Sequence, residues 1–212
     1  MLALGVMAAP ATAKKSVRAT TRKQVLTSLR RAEIIEAALK VFARKGFHQA
    51  RTEDVALQAK IAKGTLYLYF DSKDAIYDAA LQHAVDQLAE LSDKRVAEAN
   101  TTRDRIEAWI HTRLDFWYSR GDMYHMILTV GRETRHRKQT AALLRSAHTS
   151  FVQVLHDAMD TGDLPRRDTG PIGWLVMDAI RGSNERRILN LCERDLTRET
   201  AIIVDMVLRY FA

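Results

Sequence analysis

Residues 32–77 read AEIIEAALKVFARKGFHQARTEDVALQAKIAKGTLYLYFDSKDAIY, and the fold is decided in this stretch. Ile35, Ala38, Leu39 and Phe42 fall at i, i+3, i+4 and i+7, the spacing of a helix with one apolar face. Gly46 is placed to end that helix in a left-handed cap, and Phe47 is the apolar residue expected just beyond one. Thr52 is placed to cap a second short helix, with Glu53 and Asp54 in a first turn where carboxylates complement the helix dipole. Val55, Ala56 and Ala59 form its inner face, and the small alanines permit a close crossing. After a break at Lys60-Ile61-Ala62, a third helix is predicted from Lys63 to about Phe70, with Leu66 and Phe70 turned inward. Ser72 caps a fourth. Three short helices joined by tight turns and followed by a long one make a helix-turn-helix unit of about 45 residues.

The same period continues downstream. Helices are predicted over 72–99, 102–119, 122–134, 138–161, 172–192 and 197–211, with Gly162, Pro165 and Pro171 marking the longest loop. No stretch alternates as a strand does, and there is no internal repeat. The expected fold class is therefore all-α. Three regions are expected: a disordered basic extension over 1–28, a helix-turn-helix domain over 29–75, and a larger helical domain over 76–212.

Composition narrows the class. Of 212 residues, 47% are hydrophobic and 28% charged, as in a soluble globule. Three prolines and nine glycines are too few for a turn-dense barrel or sandwich. One cysteine, Cys192, excludes an intramolecular disulfide framework and any multi-cysteine metal site. It sits on an apolar helical stripe and reads as buried and inert, and a reducing cytoplasm is the expected compartment. The net charge is +7, and the first 31 residues hold seven basic groups and no acid. Outside them, 26 basic residues face 26 acidic ones. A basic arm beside a folded body suggests a polyanionic partner; a solvated tail is the plainer reading. Residues 1–13, MLALGVMAAPATA, lack the positive n-region of a signal peptide and are too short to span a bilayer. They read as an extension from an upstream start codon, with export the alternative.

Ala37-Ala38, Phe42, Gly46-Phe47, Thr52, Val55-Ala56, Lys63-Gly64-Thr65-Leu66-Tyr67, Tyr69-Phe70 and Ser72-Lys73-Asp74, in this order and spacing, resemble the DNA-binding domain of the TetR (tetracycline repressor) family. The resemblance covers about a fifth of the chain. It implies a third helix that enters the major groove by its N-terminal end. There Lys63 can reach guanine or phosphate, Gly64 permits close approach, and Thr65 can meet a base edge. Tyr67 and Tyr69 are expected to donate to phosphates, with amphipathic packing as the plainer reading. Thr52 and Lys73 are expected to point donors at the flanking backbone. Two departures from the family pattern stand out. Lys60 occupies the turn position that usually holds glycine, and Ala62 the capping position that usually holds serine or threonine. A lysine in a left-handed turn costs about 1 kcal/mol, unless Lys60 gains a phosphate contact.

The resemblance also implies a two-fold dimer on double-stranded operator DNA, formed through the last two helices. Their stripes are Ile172, Leu175, Val176, Ala179, Ile180, Ile188 and Leu191 on one, and Ile202, Ile203, Met206, Val207, Tyr210 and Phe211 on the other. Part of each stripe must be intrachain core. Five of the fifteen aromatics lie between Trp109 and Tyr124. A cavity for a small, largely apolar effector is expected between the helices of 102–192, lined in part by Trp109, Phe116, Trp117, Met123, Met126, Phe151 and Met177. A close-packed core is the alternative for each. The cluster Arg132, Arg135, His136, Arg137 and Lys138 reads as a solvated helix end or a second positive surface, with a site that gathers a ligand carboxylate or phosphate as the alternative.

No P-loop, G-x-S-x-G, H-E-x-x-H or G-x-G-x-x-G motif is present, so no catalytic residue, cofactor, metal or membrane partner is expected. The reading is a repressor released from its operator by an effector. The rivals are an effector-free DNA-binding dimer, constitutive or controlled by a protein partner, and a helical carrier or enzyme.

Overall fold

The computed structural model describes the backbone of residues 11–212 except 132, 192 and 194, and side chains from residue 24 onward. Cys192 and Arg132 lie outside the described residues, and so does the expectation that Cys192 is buried. The described residues form helices and no strand. In chain order these are α1 (Ala11–Gln49), α2 (Thr52–Gln58), α3 (Lys63–Leu66), α4 (Lys73–Glu98), α5 (Thr102–Tyr118), α6 (Gly121–Val130), α7 (Thr134–Asp160), α8 (Gly170–Ile188) and α9 (Leu196–Phe211).

The first correction concerns the N-terminus. Residues 11–28 were expected to be disordered, but they are the opening turns of α1. Neither glycine nor proline falls between Ala11 and Lys45, and alanine, arginine, lysine, leucine and glutamine all favour helix. Residues 24–33 are all exposed, so this part of α1 stands clear of the core. At Gly46 the backbone takes φ 71° and ψ 163°, a region open essentially to glycine alone, and Phe47 turns into the core at 2% exposure.

The short helices follow with two adjustments. Arg51, not Thr52, is the N-cap of α2; the Asp54 carboxylate accepts the Arg51 backbone N–H at 3.0 Å. That bond satisfies a donor which no serine or threonine hydroxyl reaches here. The helix ends as predicted, with Lys60 at φ 56°. The Lys60 N–H meets the Leu57 carbonyl at 3.1 Å and the Ile61 N–H meets the Ala56 carbonyl at 3.0 Å. These two bonds are the Schellman closure, with lysine in the glycine position. Ala62 gives α3 no side-chain cap, and α3 proper is only four residues long. Backbone bonds from Leu68, Tyr69 and Phe70 to Thr65 and Leu66 carry the turn on to Phe70. Ser72 then caps α4, accepting from the Ala75 N–H at 3.0 Å.

Two hydrophobic cores form. The first gathers Ile34, Ala38, Phe42 and Phe47 of α1, Val55 and Ala56 of α2, Leu66, Phe70, and Ile76, Tyr77, Ala80, Leu81 and Ala84 of α4. It also takes in Met123, Met126 and Val130 of α6. A boundary at 75/76 therefore falls inside both α4 and this core. The second core lies among α5, α7, α8 and α9, around Trp109, Leu114, Phe151, Leu155, Val176, Val204 and Val207.

Two polar ties hold the first turn of α4. The Lys73 ammonium donates to the carbonyls of Phe47 at 2.9 Å, Ala50 at 3.1 Å and His48 at 3.4 Å. On the other side, His136 of α7 is 1% exposed and hydrogen-bonds Asp78 at 2.9 Å and Asp74 at 3.0 Å. Its ring meets Tyr77 edge-on, with centroids 4.7 Å apart. The stretch expected to be a solvated basic end thus buries its histidine as the clasp between α4 and α7.

Candidate nucleic-acid interface and internal cavity

The unit built by α1–α3 presents one exposed polar face. The Thr52 hydroxyl lies 3.2 Å from the Tyr67 hydroxyl, joining the start of α2 to the end of α3. The Lys63 ammonium, at the first residue of α3, pairs with Glu53 at 2.5 Å. That bond lowers the Glu53 carboxyl below its ordinary range and raises the Lys63 amine above its own. A Cβ built on Gly64 meets nothing within 4 Å, so the backbone there is open to close approach by a partner. Thr65 is half-buried and Tyr67 is exposed beside them. Thr52, Lys63 and Tyr67 are thus brought together, Gly64 and Thr65 lie on the same short helix, and Lys60 is exposed in the turn before it.

Two expected residues do not join them. Lys73 has its ammonium among the last carbonyls of α1, 4.4 Å over the Phe47 ring. Helix-terminal carbonyls lack intrahelical partners and attract a cation, so this amine serves the protein's own backbone. Tyr69 is half-buried and packs against the first core. The neighbour between the tyrosines, Leu68, is 82% exposed on the same face and was passed over. Its signal was available: an apolar residue at a position that helical spacing turns away from Leu66 and Phe70. Arg51, exposed at the start of α2, was also missed.

Behind this unit lies a cavity of about 480 Å³. Its walls come from α4 (Leu81, Val85, Leu88, Asp93), α5 (Arg113, Trp117), α6 (Tyr124, Ile127, Leu128), α7 (Thr140, Leu143, Ala147, Ser150) and α8 (Trp174, Met177, Arg181). Of the seven predicted lining residues, only Trp117 and Met177 are there. Trp109 and Phe151 are fully buried against each other, with centroids 4.7 Å apart, in the second core. Phe116 is buried edge-on to Trp117. Met123 and Met126 fill the first core, because α6 packs on α1. The fifth wall, α4, was not anticipated.

Most of the lining is apolar. Tyr124 is buried enough that its hydroxyl is pushed up to about 12, with the Arg181 charge opposing the shift. Burial pulls the Arg113 guanidinium down to about 9, and the Asp93 charge works against that fall, so Arg113 remains a cation at neutral pH.

A short helix crossed over another by a Schellman turn, with donors exposed on the second, defines a helix-turn-helix unit ahead of a helical cavity domain. Residues 34–80 match the family model of bacterial regulatory proteins, tetR family. Over 74 residues it is 34% identical to the fatty acid metabolism regulator protein of Bacillus subtilis, covering 35% of this chain and 38% of that protein. Over 143 residues it is 32% identical to the HTH-type transcriptional activator FasR of Mycolicibacterium smegmatis, covering 66% of this chain and 61% of the relative. These matches span less than two thirds of either relative's length. The fold is similar to that of the transcriptional regulator FadR from Bacillus subtilis in complex with stearoyl-CoA, with a TM-score of 0.73 at 20% identity. That likeness covers 82% of this chain and 96% of the other.

Proposed function

We propose that the protein is a transcriptional regulator, a repressor, that binds a two-fold DNA operator as a homodimer and releases it when a largely apolar molecule enters the cavity. The observation that carries this reading is the pairing of two features on one framework. The exposed Lys63 and Tyr67 stand beside the half-buried Thr52 and Thr65, and α4, tied to that unit through Lys73, walls a cavity of about 480 Å³. That volume suits a small ligand. The FadR structure holding stearoyl-CoA and the fatty-acid regulator among the relatives support an acyl compound as the effector class. The stripes of the last two helices divide in a way that supports dimerisation. Ile172, Val176, Ile203 and Val207 are buried within the chain, whereas Leu175 and Ile202 are 55% and 60% exposed. Action on DNA puts the protein in the cytoplasm.

The test is selection of a binding site from a random DNA pool, followed by gel shift across a salt series. A regulator gives a two-fold consensus whose binding weakens steeply as salt rises. A C12 acyl compound, supplied as the free acid or as the CoA thioester, should release the DNA. Failure to enrich any sequence refutes the reading, and sequence-specific binding that no acyl compound alters favours the effector-free rival.

A further inference from the structure

Arg113 is the odd residue of the cavity wall. It is 5% exposed, yet among the described residues no carboxylate comes within ion-pair distance of it. Its Nη1 donates to the Ser92 hydroxyl at 2.7 Å and to the Trp109 carbonyl at 3.4 Å, its Nε has no partner, and its guanidinium lies 3.3 Å over the Trp109 ring. These contacts are neutral, and they leave the charge itself unanswered. Asp93, whose field reaches Arg113, is exposed, so water already serves its carboxylate. The other charged groups on the wall, Arg181 and Asp178, close on each other at 2.8 Å. The wall thus carries two cations and two carboxylates, and Arg113 is the one of the four that is buried, with no ion pair of its own among the described residues. Thr140 of the same wall also keeps a buried hydroxyl without a partner.

A buried cation that is neither paired nor replaced by an apolar side chain costs stability. We propose that the cavity takes an amphipathic carboxylate, head inward, with its carboxylate on the Arg113 guanidinium and its chain along Leu81, Val85, Leu88 and Leu143. The two oxygens of a carboxylate match the fork of a guanidinium, and the bond is strongest where water is excluded. The near-complete burial of Arg113 sets the size of the head. A carboxylate fits, whereas a nucleotide-sized head cannot follow its chain to that depth. This rests on the cavity being the effector site proposed above, and it specifies the end of the molecule that the cavity reads.

The experiment titrates the full-length protein with dodecanoic acid, methyl dodecanoate and dodecanoyl-CoA, following tryptophan fluorescence and release from DNA. Trp117 and Trp174 line the cavity and Trp109 underlies Arg113, so occupancy has a direct signal. The acid is expected to bind at least tenfold more tightly than the ester. Arg113→Met is expected to erase that preference while keeping ester binding, and to melt no lower than wild type without ligand. The wild-type ratio of acid to ester stands without any variant, so a misfolded Arg113→Met leaves the test intact; Arg113→Lys, which keeps the charge, then replaces it and should retain part of the preference. Equal affinity for acid and ester, or a preference that survives Arg113→Met, overturns the carboxylate assignment alone. The CoA thioester binding most tightly, with an Arg113 dependence, also overturns it, because the head would then be the larger anion. No binding of any of the three refutes the effector cavity itself.

Discussion

Replacing Lys60 by glycine should stabilise the protein and weaken its grip on DNA. Lys60 sits at φ 56°. A side chain in that conformation costs about 1–2 kcal/mol, and glycine removes the penalty while keeping both Schellman bonds, which are made by backbone groups. Glycine also has more freedom to lose on folding, which takes back about 0.5–1 kcal/mol. The net gain is about 0.5–1 kcal/mol, or roughly 1–4 °C in melting temperature for a chain of this size. Lys60→Ala provides the control, because alanine keeps the strain and should not raise the melting temperature. Both variants lose the exposed amine. If Lys60 lies along the DNA backbone, the slope of log affinity against log salt becomes shallower by about 0.9 per half-site in each. Thermal melts and salt titrations of the three proteins decide both points. A glycine variant that melts at or below wild type refutes the strain argument, and an unchanged salt slope in both variants removes Lys60 from the interface.

Other substitutions separate the roles assigned above. Thr65→Ala and Tyr67→Ala should each weaken operator binding by about 1–3 kcal/mol with helicity and dimerisation unchanged, as gel shifts of folded variants will read. Lys73→Ala should show the reverse of Lys60→Gly. The loss of its carbonyl bonds destabilises by about 1–2 kcal/mol, while the salt slope should stay put because the amine is engaged by the carbonyls at the end of α1. Glu53→Gln frees Lys63 and removes a carboxylate from the face proposed to meet phosphate, so affinity should rise by up to about fivefold. The Glu53 carboxyl is held below its ordinary range by Lys63, so the pair persists above that range and is lost only as pH falls through the depressed value. The gain should therefore be the same across neutral pH and vanish in acid. Met177→Trp should fill the cavity and abolish the saturable signal of an apolar dye, whereas Met126→Trp should overpack the first core and lower the melting temperature by a few degrees, with the dye signal intact.

The helix-turn-helix was legible residue by residue because its signals are local. Gly46 and Ser72 are written in the backbone preferences of single positions and their immediate neighbours, whereas the left-handed turn at Lys60, which lysine disfavours, came from the family resemblance. The α1 start at Ala11 was hidden by charge, since a basic stretch reads as solvated whether or not its backbone is helical. The cavity was legible as a region but poorly as a list of residues. Apolar spacing assigns Trp109, Met126 and Phe151 to inward faces, but which of two interiors a face meets depends on helix packing across the chain. Here α6 turned its methionines toward α1. The same limit misplaced Lys73. Composition says that its amine seeks negative charge, and only the fold reveals that the nearest such charge is the end of α1.

Helix α4 is a rod of 26 residues, about 39 Å long. Its middle forms a wall of the cavity, and its first turn lies about 20 Å further along the axis. A tilt of about 5° pivoted at the cavity sweeps that first turn through an arc of roughly 1.7 Å, taking the rise per residue for the arm length. With Lys73 gripping the carbonyls at the end of α1, and His136 holding the opposite side, the arc must either carry the reading head along or break one of the two grips. In a two-fold pair the arcs of the two rods add, so an angle too small to disturb either core alters the span between the heads by more than the reach of a hydrogen bond.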